Sequence, residues 1–582
     1  MERILLIEPY YQNKFPPLGL MKIATYHRNK GDIVEFYKGE APYLQIVKAN
    51  KIYITSLFTF HYDITIKTIL HYKKYIHKDM IYIGGIAATL MAQEIEKDTG
   101  ISNIIQGQLL SSNILGYDDN INIDELPLDY DIIDDITYDY TAGDNYFVYT
   151  TRGCPRKCEF CAVRILEPDF VTTNNIINQV RRVDEIYGQK RNLLVMDNNI
   201  LFSPKISEIV NDIIKVGFNG EKNFIYPNKF KIIMRKIKRR KKYQVDYIRQ
   251  IYQAMDLIEK FYIRLQHYNK VSKEYLSVIE SIKTSENVLK SLEEHEEYLE
   301  DMFDKYSSKT KMIRYVDFNQ GIDARKINSQ IMKQLAKVPI NPFRLAYDSV
   351  DDTETYKNAF KLAVNNDIKY HSNYMLYNWN DKPEELWNRL DIAIGLFNKH
   401  KGIKGFSFPM KYAPFNRKDR NYIGEHWNNK YLGAVNIIIN VTKGIVAKEQ
   451  DFFYKAFGKD ENEYFEILTM PDEYIRHREY FEQNGLINFW KELYHELSDE
   501  EKIYLIDVLC KIKNDRSILF ANHPLAVKKI LVLYLVNKNQ CQKAEKTFQS
   551  IAEEIERING RREAPSLAPA PKTLADIDCG KA

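Results

Sequence analysis

The chain has 582 residues, 83 of them Lys or Arg and 79 Asp or Glu, for a net charge of +4. That length holds about three or four domains, and a hydrophobic content of 45% supplies real cores. Near-balanced charge argues against a generally polyanion-binding surface. No run of about 18 apolar residues marks a membrane helix, and Met1–Tyr10 lacks the charged and apolar segments of a secretory signal. Six cysteines, three of them clustered, fit a reducing cytoplasmic setting better than a disulfide framework.

The first 130 residues alternate strand and helix patterns. Arg3–Ile7, Lys51–Ser56 and Met80–Gly85 are short apolar runs of the kind found in buried parallel strands. A helical pattern spans Leu18–Lys30 and ends at Gly31. This alternation predicts a doubly wound α/β domain over 1–130. Gly84 and Gly85 follow a strand, where ligands meet such sheets. Residues 124–144 are acidic and turn-rich, with Pro127, and read as a solvated connector.

Tyr146–Thr150 reads as a strand delivering Thr-Arg-Gly-Cys-Pro-Arg-Lys-Cys-Glu-Phe-Cys, residues 151–161, at its carboxyl end. Cys154, Cys158 and Cys161 fall within eight residues. Soft thiolates at this density favour zinc or an iron–sulfur cluster. Structural zinc usually takes four protein ligands, and no histidine lies between His77 and His267. Three cysteines suit a four-iron cluster with one iron open to a ligand. A zinc loop or three buried thiols are the alternatives.

The C-x3-C-x2-C spacing, with Thr-Arg-Gly before it, Pro155 after the first cysteine and Phe160 before the last, resembles the radical S-adenosylmethionine (SAM) superfamily. The resemblance implies a 4Fe-4S cluster on Cys154, Cys158 and Cys161, with Phe160 beside the cofactor. It implies SAM chelated to the open iron and cleaved reductively to a 5′-deoxyadenosyl radical. It also implies a low-potential electron donor such as flavodoxin or ferredoxin. Phe15-Pro-Pro-Leu-Gly-Leu20 is similar to the opening loop of cobalamin-binding domains fused to radical enzymes. The Asp-x-His-x-x-Gly motif of those domains is absent, which argues against a histidine-ligated cobalamin.

Beyond the cysteines, Thr173–Tyr187 has helical spacing, and Asn192–Leu201 is a strand running into Met196, Asp197, Asn198 and Asn199. In the family this place meets the amino group of SAM, and a carboxylate with backbone carbonyls suits an ammonium. A plain polar turn is the alternative. Residues 221–312 form an insertion in which two apolar series predict a helical hairpin. Its basic entry, residues 236–242, would face acidic residues near Glu300 and Asp301. That pairing favours a protein partner at the hairpin over RNA.

Ile313–Arg325 then reads as a strand ending in Asn319, Gln320 and Gly321, followed by Asp323 and Arg325. By the resemblance, Gln320, Asp323 and Arg325 contact the cofactor. A rim salt bridge between Arg325 and Asp323 is the alternative. Pro342–Ser349 (with Asp348 at its mouth), Ile368–Asn378 and Gly405–Pro414 are further strands, with helices from Asp351 and Lys382 between them. Tyr412 in the last loop reads as packing rather than chemistry. Together these predict a partial (β/α)6 barrel over 146–425. A mostly helical domain follows over 426–560, with Cys510 and Cys541 as buried, inert thiols. An Ala/Pro-rich flexible tail ends the chain at 561–582, with Cys579 exposed.

The expectation is a radical SAM enzyme acting on an unknown substrate. The alternatives are a cobalamin-dependent methyltransferase and a zinc- or cluster-bound scaffold that recruits a partner.

Overall fold

The computed structural model describes residues 1–539 apart from 174, 244–245, 269 and 513–514. Its chain divides into two compact units. The first is Met1–Gln320 with Lys333–Asn341 and Phe415–Arg420; the second is Gly321–Met332, Pro342–Pro414 and the described residues from Asn421 onward. The expected tail over 561–582, Cys541 and Cys579 lie outside the described residues.

The first unit opens with four parallel strands, β1 (Arg3–Glu8), β2 (Ile33–Lys38), β3 (Lys51–Ser56) and β4 (Ile81–Gly85), in the order β2-β1-β3-β4. Ile4 to Ile7 and Ile52 to Ile54 are buried, as expected of parallel strands covered on both faces. The helix Leu18–Asn29 follows β1 and stops just before Gly31, which has φ +83°. Gly85 has φ +103°, and a Cβ there would sit 2.3 Å from the Ser56 carbonyl oxygen. Gly85 therefore lets β4 close onto β3.

The next strands are β5 (Asn145–Val148), β6 (Thr151–Arg152), β7 (Val171–Thr172), β8 (Asn192–Val195), β9 (Lys222–Phe224), β10 (Met312–Ile313) and β11 (Val316–Phe318). β5, β8 and β11 make a parallel sheet with β8 central. β6 and β7 form an antiparallel ribbon around the cysteine loop. The antiparallel β9–β10 pair joins the two ends of the insertion.

Among the described residues the insertion forms five helices rather than a hairpin: Lys229–Lys242, Ile248–His267, Lys273–Thr284, Val288–Glu294 and Glu296–Tyr306. They share a core that includes Phe230, Met234, Ile258, Phe261, Leu299 and Phe303. The second apolar series breaks at Ser285 and Asn287. Ser285 Oγ accepts the Asn287 amide at 3.2 Å, and Asn287 Oδ1 accepts the Lys290 amide at 3.0 Å. Such local side-chain bonds compete with a continuing helix. The pairing register also differs from the expected one: Lys241 meets Glu293 at 3.2 Å, Lys238 meets Glu296 at 2.7 Å, and Glu300 pairs with Lys231 at 2.9 Å.

The middle of the acidic connector, from Asp129 to Asp135, is not solvated, whereas Glu125, Asp139 and Asp144 are exposed. Asp129 and Asp131 are each only 1% exposed. Arg28 pairs with Asp129 at 2.6 Å, Arg239 with Asp131 at 2.8 Å, and Arg240 with Asp135. Lys236 adds an ion pair to Asp134. Local composition suggests exposure, but cations distant in sequence neutralise the run and bury it.

The second unit carries β12 (Phe343–Ala346), β13 (Tyr370–Tyr377) and β14 (Lys404–Lys411), which are parallel, and β15 (Val446–Ala447), antiparallel to β14. The six parallel strands expected in one barrel thus stand as two sheets of three. Helices Thr353–Asn365 and Pro383–Lys399 connect the strands, the latter with Pro383 in its first turn. Arg389 is fully buried; it pairs with Asp381 at 2.9 Å and donates to the carbonyls of Tyr347 and Leu376. The described part beyond 426 is mostly helical, with Tyr464 and Trp490 fully buried. Cys510 is buried as expected, but it is disulfide-bonded rather than a free thiol. Among the described residues, no helix is long and apolar enough to cross a membrane.

Candidate metal centre

Val148 and Phe318 both lie in register with Val195. Three segments therefore leave one edge of the sheet side by side: Tyr149 to the cysteine loop, Met196 to Asn199, and Asn319 with Gln320. The Met196 amide donates to the Val148 carbonyl at 2.9 Å, and the Asn319 amide to the Val195 carbonyl at 3.0 Å. The carboxyl edge of a parallel sheet is where such folds place their chemistry.

Asp197 locks the first two segments together. One carboxylate oxygen accepts the Thr150 amide at 2.7 Å; the other accepts the Thr150 hydroxyl and, at 2.8 Å, the Thr151 hydroxyl. Both threonines are fully buried, and Asp197 is 4% exposed. Burial pushes the Asp197 carboxyl up to about 6, against the lowering effect of these hydrogen bonds. The carboxylate expected at the SAM ammonium is thus engaged in holding the strand ends.

The loop itself is hung from Glu167. Glu167 Oε2 accepts the Gly153 amide at 2.6 Å and the Asn198 side-chain amide at 2.8 Å, while Oε1 pairs with Arg152 at 3.0 Å. Arg152 also pairs with Asp124 at 2.6 Å, and Asp124 with Lys22 at 2.8 Å. Burial raises the Asp124 carboxyl, but the charges of Lys22 and Arg152 outweigh it and hold the group below the usual range. The Arg152 guanidinium also lies over the Tyr149 ring, 4.1 Å from its centroid. Gly153 has φ +75°, and a Cβ there would lie 2.2 Å from the Asp169 carbonyl oxygen. The Arg-Gly before the first cysteine is thus an anchor followed by a conformational requirement.

Cys154, Cys158 and Cys161 are half-buried and in no disulfide, and Phe160 is half-buried. The Cys161 amide closes a turn onto the Cys158 carbonyl at 3.1 Å. Asn199 is 6% exposed, and its side-chain amide donates to Cys154 Sγ at 3.5 Å. Three thiols presented from one loop, with no fourth cysteine or histidine in it, fit a cluster that keeps an open iron. Among the described residues, the one trio of donor atoms all within 4.8 Å of one another is Glu2, His27 and Asp32. The Glu2 group is structural: His27 is fully buried, its Nδ1 paired with Asp32 at 2.9 Å and its Nε2 with the Tyr53 hydroxyl at 3.1 Å.

The structure brings the three cysteines together with Asp197, Asn198 and Asn199. Met196 is buried under this turn, and Gln320 is exposed where β11 ends. Asp323 and Arg325 belong to the second unit. There Arg325 Nε lies 2.9 Å from Asp323 Oδ1, the salt bridge held open as an alternative. Asp348 lies just past the end of β12; one oxygen accepts the Leu376 amide at 3.0 Å, and burial raises its carboxyl.

Sequence reasoning missed Glu167, Asp124 and Lys22. Glu167 sits in no periodic pattern. The acidity of the segment around Asp124 was itself the signal, read as exposure instead of pairing.

The family model of the Radical SAM superfamily matches residues 148–304, from the last residue of β5 through the cysteine loop and the turn after β8 into the inserted helices. No curated protein matches the chain. The cysteine loop lies inside the matched span, so residues 148–304 carry a Radical SAM superfamily domain, which supports an enzyme whose reaction type the match leaves open.

Proposed function

We propose that the protein holds a 4Fe-4S cluster on Cys154, Cys158 and Cys161 and cleaves SAM reductively, acting on a substrate of undetermined class. The observation that carries this reading is the cysteine loop, suspended at the sheet edge by Glu167 and Arg152 within the family-matched span. When bound, the cluster and SAM would supply a 5′-deoxyadenosyl radical. On this reading β5, β8 and β11 belong to a partial (β/α)6 barrel. Gly153 and the Glu167 carboxylate present the three thiolates, and Asp197 fixes the neighbouring turn.

Anaerobic reconstitution tests the proposal. The protein should bind about four irons and form 5′-deoxyadenosine from SAM with a strong reductant, and replacing any one of the three cysteines by alanine should abolish both. Tetrahedral zinc at full occupancy with no visible absorbance would exclude it.

The order β2-β1-β3-β4 favours a second reading, cobalamin-dependent methyl transfer, because it matches doubly wound domains that bind cofactors at the carboxyl edge. Titration with hydroxocobalamin decides it; a protein that takes up none is not such an enzyme.

A further inference from the structure

We infer that Asn199 is a positioning residue that tunes the cluster through Cys154, so that the turn after β8 serves the iron site. This deepens the proposed function and rests on Cys154 being a cluster ligand. Asn199 follows directly from the turn that Asp197 pins to Thr150 and Thr151 and that Asn198 ties to Glu167. These bonds leave the turn little freedom to retreat from the cysteine loop. At 6% exposure, the Asn199 amide donates to the Cys154 sulfur at 3.5 Å, within the reach of an N–H···S bond. The other two cysteines sit one turn apart, joined by the Cys161–Cys158 backbone bond.

A neutral donor on a ligating sulfur stabilises the more negative, reduced state of an iron–sulfur cluster. Hydrogen bonds to sulfur are a principal lever on cluster potential, and groups that orient a ligand tune the metal it holds. Removing the donor should make the cluster harder to reduce without removing a ligand. Asn199→Leu removes the donor. Asn199→Asp keeps the size of the side chain and replaces the donor with a negative charge. Both should shift the midpoint potential to more negative values, the aspartate further.

The test is a redox titration of the full-length, anaerobically reconstituted protein, followed by the reduced-cluster electron paramagnetic resonance signal, with iron content measured on the same samples. The expected result is wild-type iron content with a more negative midpoint in both variants. An unchanged midpoint in Asn199→Leu at wild-type iron content would overturn the inference and leave the proposed function standing. Loss of the cluster from both variants, with circular dichroism unchanged, would also overturn it, because Asn199 would then hold the loop and not tune the cluster. A wild-type protein that takes up no iron would remove the proposed function, and this inference with it.

Discussion

The Glu167 carboxylate accepts the Gly153 amide at 2.6 Å, so the residue just before the first cysteine hangs from a side chain six residues beyond the last one. The loop between them is closed at its base before any metal arrives. That closure holds the three cysteines on one short loop at the sheet edge.

Gly153 carries the strictest demand in this arrangement. Its φ is positive, and any Cβ would stand 2.2 Å from the Asp169 carbonyl oxygen, which excludes every other residue without backbone movement. Gly153→Ala should displace the loop and cut iron uptake from about four per chain to less than about one. Iron assay and the visible absorbance of the reconstituted protein check this.

Arg152 is sandwiched between two carboxylates, Asp124 and Glu167, with side-chain exposures of 12%, 17% and 14%. Arg152→Met would leave Asp124 with Lys22 but Glu167 with only the Gly153 and Asn198 amides, which cannot replace the lost charge in a partly dry setting. Breaking a buried pair on one side costs about 3 kcal/mol or more. Urea unfolding at neutral pH should show a loss of that order in the first unit.

His371 gives the second unit a pH dependence. It is 2% exposed among Phe343, Phe360 and Phe397, and burial lowers its pKa to about 4, despite the bond to the Ile368 carbonyl. The unfolded chain protonates near 6.5 and the folded one only near 4. Stability is therefore fully present above about 6.5 and falls as the pH drops toward 4, by on the order of 3 kcal/mol. His371→Gln should flatten this fall; a urea midpoint series from pH 7.5 to 4 measures it.

The basic run at 236–242 should not bind RNA strongly. Lys236, Lys238, Arg239, Arg240 and Lys241 all have carboxylate partners within the first unit. Binding of bulk tRNA should be weak and should lack the steep salt dependence that follows when several cations neutralise phosphates. Combining Glu293→Gln with Glu296→Gln should strengthen it, because those changes release Lys241 and Lys238. Filter binding across a salt series decides the point.

The residues themselves determined the parts governed by short spacing. Three cysteines in eight residues name a soft-metal loop, and unbroken apolar runs such as Ile4–Ile7 name buried parallel strands, because both signals are complete within one segment. What depended on long-range pairing was decided only by the tertiary structure. The acidic stretch around Asp131 was legible as charge but not as a buried partner for Arg239, 108 residues away. Asp197 was legible as a polar residue at a strand end, but only the register of β5 against β8 put its carboxylate under Thr150 and Thr151. A carboxylate's role follows from the donors brought to it, and those come from segments that composition and periodicity cannot join.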